Sequence, residues 1–179
     1  MVYMFLATGF EEVEALAPLD IMRRAGVEVT TVGIGGELIT GAHGITVKAD
    51  IADAVFRDDA PEMVILPGGM PGTRNLDASP AVEAALNAVA ANDGYLAAIC
   101  AAPMVLGKRG LLKGKRAICY PGFEKFLDGA RLSHHKVVRD GNVITAAGMG
   151  VAIEFGLEIV EMLCGDVAAA NVRAAIIAG

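Results

Sequence analysis

The chain has 179 residues, 54% hydrophobic and 20% charged, which fits one packed domain and excludes a disordered chain. A formal charge of −6, from 15 Lys and Arg against 21 Asp and Glu, leaves no basic surface to select nucleic acid or anionic lipid as a primary partner. The longest nearly apolar run, Tyr95 to Gly107, is shorter than the roughly 18 to 20 residues of a membrane helix, so no membrane insertion is expected.

In chain order, the pattern predicts a strand at Val2 to Ala7, a helix at Glu11 to Ala25 and a strand at Glu28 to Gly33. A hairpin-like excursion follows at Leu38 to Ala49, around Gly41 and Gly44. Next come a strand at Met63 to Leu66, a helix at Pro80 to Asn92, a strand at Tyr95 to Ile99, a helix at Ala102 to Arg109 and a strand at Arg116 to Cys119. Val137 to Ala146 turns at Asp140-Gly141, a strong hairpin signal, with its return strand at Val143 to Ala146. Helices at Val151 to Cys164 and Val167 to Ile177 complete the chain. Gly26, Gly94, Gly110 and Gly165 mark helix ends, where a left-handed residue closes the last turn. Most strands are unbroken apolar runs, as expected when both sheet faces are covered. The alternation of strand and helix therefore predicts an α/β fold: a mostly parallel sheet with helices on both faces.

Such a sheet binds ligands beyond the carboxyl ends of its strands, where Thr8-Gly9, Pro67-Gly68-Gly69, Cys100 and Tyr120-Pro121-Gly122 would gather. Cys100 stands between the strand Tyr95 to Ile99 and a helix of small residues. The first amides of that helix favour thiolate over thiol, which makes the cysteine reactive; the other reading is a small buried hydrophobe. Glu14 is the acid/base candidate. Its neighbours at i+3, i+4 and i+7 are Ala17, Pro18 and Ile21, so its carboxyl belongs to a buried face, and burial favours its protonated form. Glu11 and Glu12 are read as complements to the helix dipole. Gly68 and Gly69 are either a plain turn or a place where backbone amides approach a ligand; in the second case the amides of Gly69 and Ala101 stabilise an oxyanion formed when Cys100 attacks a carbonyl.

Among the remaining residues, Cys119 adjoins the strand end near Cys100, and Cys164 reads as core filling. His134 and His135 belong to solvent, whereas His43 lies either on a surface loop or at the rim of the crevice. No His or Cys spacing suggests a metal, and none is expected. The three cysteines form no Cys-x-x-Cys pair, and Val2 to Ala7 lack a basic leader, so a reduced, cytoplasmic setting without export is expected.

Taken in order, Gly9-Phe10-Glu11-Glu12-Val13-Glu14, Asp20-Ile21-Met22-Arg23-Arg24-Ala25-Gly26, Leu66-Pro67-Gly68-Gly69, Ala97-Ala98-Ile99-Cys100-Ala101-Ala102-Pro103 and Glu154-Phe155-Gly156 resemble the ThiJ/PfpI superfamily, and within it the DJ-one/YajL-like branch. The resemblance spans nearly the whole chain. It implies one flavodoxin-like, three-layer α/β domain over residues 1–179, related to class I glutamine amidotransferases and usually a homodimer. It also implies Cys100 as nucleophile and redox-sensitive thiol on a strained elbow, Glu14 as general acid/base, Gly69 and Ala101 as oxyanion hole, and Gly68, Tyr120, Pro121 and His43 as candidate pocket residues. There are departures. Tyr120 stands where the branch often has a histidine, and His43 where some relatives have an arginine. Ala101 replaces the histidine of protease-like relatives, which argues against peptidase activity. Ala146-Ala147-Gly148-Met149-Gly150 replaces a Ser-Arg-Gly-Pro-Gly stretch.

The resemblance points first to a cofactor-independent enzyme acting on α-oxoaldehydes such as methylglyoxal, or on their early adducts with amines and thiols, as a glyoxalase or deglycase. It points second to a redox-responsive stress protein or holdase chaperone whose Cys100 is oxidised to sulfinate. Glutaminase-like amide hydrolysis ranks last, because no His-x-Glu pair completes a triad near the carboxyl end.

Overall fold

Chain direction and burial are set by the apolar runs. The computed structural model describes residues 1–57 and 61–179. Its strands are β1 (Val2–Leu6), β2 (Val29–Gly33), β3 (Leu38–Thr40), β4 (Thr46–Lys48), β5 (Ile51–Ala52), β6 (Met63–Leu66), β7 (Tyr95–Ile99), β8 (Arg116–Ala117), β9 (Arg131–Leu132), β10 (Val137–Asp140) and β11 (Val143–Ala146). Its helices are α1 (Glu12–Arg24), α2 (Gly72–Asp77), α3 (Pro80–Ala91), α4 (Pro103–Lys108), α5 (Ala152–Cys164) and α6 (Asp166–Ala175).

Seven strands form the main sheet in the order β10-β11-β7-β6-β1-β2-β5. All neighbours run parallel except the edge hairpin β10-β11. Because side chains alternate along a strand, β1 sends Val2, Met4 and Leu6 to one face and Tyr3 and Phe5 to the other. The first face packs against Ile21 and Met22 of α1, Phe155, Ile159 and Val160 of α5 and Val172 of α6. The second packs against Leu76 of α2, Val82, Leu86 and Val89 of α3 and Val105 and Leu106 of α4. The result is the expected three-layer α/β sandwich with a mostly parallel sheet. Among the described residues no helix is long and apolar enough to cross a membrane.

Several expectations need correction. The predicted strand at Arg116 to Cys119 is strand only at Arg116–Ala117, and it pairs with β9 in a separate two-stranded sheet. Its continuation peels toward β7 and β11, as the Ile118 amide donates to Thr145 Oγ1 (3.0 Å) and the Tyr120 amide to the Cys100 carbonyl (2.7 Å). Gly94 does not take the left-handed position after α3; Asp93 does, with φ 51°. Gly94 serves a close approach instead, since a Cβ there would lie 2.9 Å from the Glu62 carbonyl oxygen. Cys164 is exposed rather than core filling, because the last turn of α5 rolls its side chain outward while Met162 is buried. The short elements α2 and β5 carry too few residues to show a period, and sequence reading missed both.

Candidate active site

Cys100 is the first residue after β7, and its backbone sits at φ 64°, a left-handed conformation that costs a non-glycine residue on the order of 1 kcal/mol. Both of its backbone groups are tied. The Cys100 amide donates to the Ala146 carbonyl (2.9 Å), and its carbonyl accepts from the Tyr120 amide (2.7 Å). Two small residues, Ala101 and Ala102, make the turn, and Pro103 opens α4 at the position where its missing N–H is no loss. The sulfur thus stands on a sharp elbow at the carboxyl edge of the sheet.

Glu14 reaches this elbow from α1, and its 1% exposure bears out the buried face read from the sequence. Close packing of α1 on α5 sets its height: a Cβ on Gly156 would lie 2.9 Å from the Pro18 Cα. The Gly68 amide donates to Glu14 Oε2 (3.1 Å), and the Met149 amide donates to the same carboxyl. Glu14 and the Cys100 sulfur are hydrogen-bonded to each other. Gly68 has to be glycine here, since a Cβ would come within 2.5 Å of Glu14 Oε2 and 2.6 Å of Cys100 Cβ. Gly69, at φ 87°, and Ala101 direct their amides at the sulfur.

The electrostatics differ from expectation in one respect. Burial pushes the Glu14 carboxyl up to about 7, with the Glu11 charge adding to it. Burial also pushes the Cys100 thiol up to about 12, helped by the charge and hydrogen bond of Glu14. The amides of Gly69 and Ala101 pull the thiol down but are outweighed, so they do not by themselves make the low-pKa thiolate read from the sequence. The pair accommodates one negative charge, and a proton lies between sulfur and carboxyl. Thiolate forms when Glu14 takes that proton.

A consequence follows for stability. An unfolded glutamate releases its proton near 4.5 and folded Glu14 near 7, so between these values the folded state binds more protons and stability falls as pH rises. The Glu14 share of this loss between pH 5 and 8 is about 2 kcal/mol. Urea denaturation at the two pH values measures it, and Glu14→Gln should flatten the difference by that amount.

Beyond the pair lies a cavity of about 380 Å³ lined by Tyr120, Pro121, Lys136, Ala147, Gly148, Met149, Gly150 and Val151. Gly148 joins it to the acid: a Cβ there would lie 3.4 Å from Tyr120 Cδ2 and 3.8 Å from Glu14 Oε1. Tyr120 and Pro121 both line this cavity, whereas Gly68 is not part of its lining. Lys136 and the Ala147–Val151 wall were not singled out as pocket residues, because the loop after a strand comes to face the Lys136 hairpin only through the fold.

His43 does not line this cavity. Its ring Nδ1 lies 3.0 Å from Glu12 Oε2 and 3.6 Å from Glu11 Oε2, and its backbone amide donates to Glu12 Oε1 (2.8 Å). Glu12 is more than a complement to the helix dipole: it is buried, and it pins the loop between β3 and β4 to α1. Burial alone would raise its carboxyl, but the His43 ring and the His43 and Ile45 amides hold it below the usual range. The His43 imidazole is raised in turn, by its bond to Glu12 and then by the Glu11 charge. The three ligand atoms of Glu11, Glu12 and His43 lie within 4.8 Å of one another, so long-range folding assembles donors that the sequence spacing had not suggested could meet at an ion. His134 and His135 are exposed, as expected, and Cys119 is buried beside Tyr120.

Comparison with known proteins places these features in context. A model of the DJ-1/PfpI family matches residues 1–162. The chain is 39% identical over 177 residues to the Parkinson disease protein 7 homolog of Danio rerio, covering 96% of this chain and 94% of that protein. It is 32% identical over 156 residues to the glutathione-independent glyoxalase DJR-1.2 of Caenorhabditis elegans, covering 87% and 83%. Toxoplasma gondii DJ-1, in an oxidised form, superposes with a TM-score of 0.94 at 32% identity over 98% of this chain and 97% of that one.

Proposed function

Because the chain belongs to the DJ-1/PfpI family, we propose that it is a cofactor-independent cysteine enzyme converting reactive α-oxoaldehydes, or their early adducts, to hydroxy acids. The observation that carries this reading is the hydrogen-bonded pair of Cys100 and Glu14 beside an open cavity. The name of the Caenorhabditis elegans relative supports the same class of substrate.

With methylglyoxal, Glu14 takes the thiol proton as the Cys100 sulfur bonds to the aldehyde carbon. The resulting alkoxide lies near the amides of Gly69 and Ala101 and recovers the proton from Glu14, giving a hemithioacetal. Glu14, again anionic, removes the hydrogen from that carbon, and the electron pair moves onto the adjacent ketone to give an enediolate. The hydroxyl proton of the hemithioacetal passes to the former ketone oxygen, its own oxygen becomes the carbonyl as Glu14 returns the abstracted proton to the adjacent carbon, and a thioester of the hydroxy acid is left. Water then cleaves the thioester, the sulfur leaves with a proton, and lactate is released. The sum is methylglyoxal plus water giving lactate, with no net oxidation and no cofactor. Purified protein without glutathione should consume methylglyoxal and form lactate in equal amounts, and absence of lactate would overturn the reading.

The enzyme is proposed to work as a homodimer. Val13 and Leu16 of α1 and Ile153 of α5 expose 37–44% of their surface on a packed helix pair, which is a natural seat for a second copy. Light scattering should give twice the 18.5 kDa of one chain, and Leu16→Glu should shift the species toward monomer.

A further inference from the structure

The cavity beside Glu14 is walled by Tyr120, Pro121, Met149 and Val151, with the small residues Ala147, Gly148 and Gly150 between them. Among the described residues Lys136, itself exposed, is the one charged residue that lines it, and no carboxylate belongs to that lining. Among the described residues the Lys136 side chain has no ion pair or hydrogen-bond partner. Elsewhere, lysines with carboxylates in reach use them, as Lys48 does with Glu37 and Lys108 with Asp77. An unpaired cation in a mostly apolar wall is free to meet a negative charge brought by a ligand, without first giving up a partner of its own.

The sheet register places this charge relative to the chemistry. Val137 of β10 faces Ala146 of β11, which faces Ile99 of β7, and the Ala147 amide donates to the Lys136 carbonyl. Lys136 is thus two strand spacings from Cys100, roughly 10 Å between backbones. Tyr120 and Gly148 line the same cavity as Lys136, and Gly148 lies beside the acid, since a Cβ there would be 3.4 Å from Tyr120 Cδ2 and 3.8 Å from Glu14 Oε1. A molecule held with its aldehyde at the sulfur and a flat or aliphatic body along Tyr120 would extend into the cavity that Lys136 lines.

Resting on the function proposed above, we propose that Lys136 is a specificity residue and that the cavity selects α-oxoaldehydes carrying an anionic group about one ring length from the aldehyde. The carboxylate of such a substrate accepts a charge-assisted hydrogen bond from Nζ, while its body covers the apolar wall. Methylglyoxal fills only the end of the cavity nearest Cys100 and leaves this site unused.

The test compares 4-carboxyphenylglyoxal with phenylglyoxal, which share a body and differ by one charge. The protein should favour the carboxylate in kcat/KM by about fivefold at low salt, and the preference should shrink at high salt. Lys136→Gln should bring the ratio near one, Lys136→Glu should invert it, and Lys136→Arg should keep it. A ratio unchanged in Lys136→Gln, even with both rates lowered, would overturn the proposal. Binding of 4-acetylbenzoate against acetophenone, followed by NMR shifts on the intact protein, reads the same preference without turnover. Equal affinity for these two would overturn the role of Lys136 whether or not the protein is a glyoxalase. Preferential binding of 4-acetylbenzoate with no turnover of any glyoxal would sustain the anion site and sink the catalytic reading.

Discussion

Replacing Cys100 with alanine is expected to lower methylglyoxal turnover by roughly 10⁴-fold or more, since it removes the nucleophile through which the covalent path runs. Glu14→Gln keeps an oxygen to accept from Gly68 but cannot take the thiol proton, so its expected loss is roughly 10² to 10⁴-fold. The double variant should be little worse than Cys100→Ala, because the two residues act as one unit through a shared proton. Lactate formation at saturating and limiting methylglyoxal checks all three. Rates in either single variant that match the unaltered protein would remove the proposed chemistry. If the unaltered protein is itself inactive while peroxide adds two oxygens to Cys100 in preference to exposed Cys164, the redox reading takes its place.

The second large effect belongs to Gly68→Ala. A methyl there would meet three neighbours at once: the Glu14 carboxylate at 2.5 Å, Cys100 Cβ at 2.6 Å and the Ile99 carbonyl at 2.9 Å. The Cys100 elbow is tied to β11 and to Tyr120 by its own backbone, and Glu14 is fixed by the packing of α1 on α5, so neither side yields cheaply. Overpacking of this kind costs about 3 kcal/mol, or roughly 10 °C in Tm for a chain of this size. The variant should also lose most activity, because relief comes from separating sulfur and carboxyl. Gly150→Ala, whose Cβ meets only open space, should leave Tm nearly unchanged and serves as the steric control. Equal melting of the two variants would contradict the packing described here.

The parallel sheet was legible because β1, β6 and β7 are unbroken apolar runs, a composition that only a strand covered on both faces can keep. Glu14 was legible because helical spacing set it on the stripe of Pro18 and Ile21. Glu12 was not, since its burial comes from the β3-β4 hairpin folding over α1, a contact between residues 31 apart. The same holds for Lys136, which reads as one more hairpin charge until β11 carries the Ala147–Val151 loop back beside it. The thiol was misjudged for a different reason. Its position at a strand end was evident, but the balance between desolvation, the Glu14 charge and two amides depends on depth and distance, which no spacing rule contains.

Gly156 has no atom in the cavity, yet its missing side chain lets the backbone around Pro18 settle against α5 and so fixes how far Glu14 leans toward the sulfur. The acidity of the Cys100–Glu14 pair therefore has a tuning screw behind the helix rather than in the cavity. Substitutions along that helix seam would shift the pH at which the pair loses its proton while leaving every residue that lines the cavity untouched.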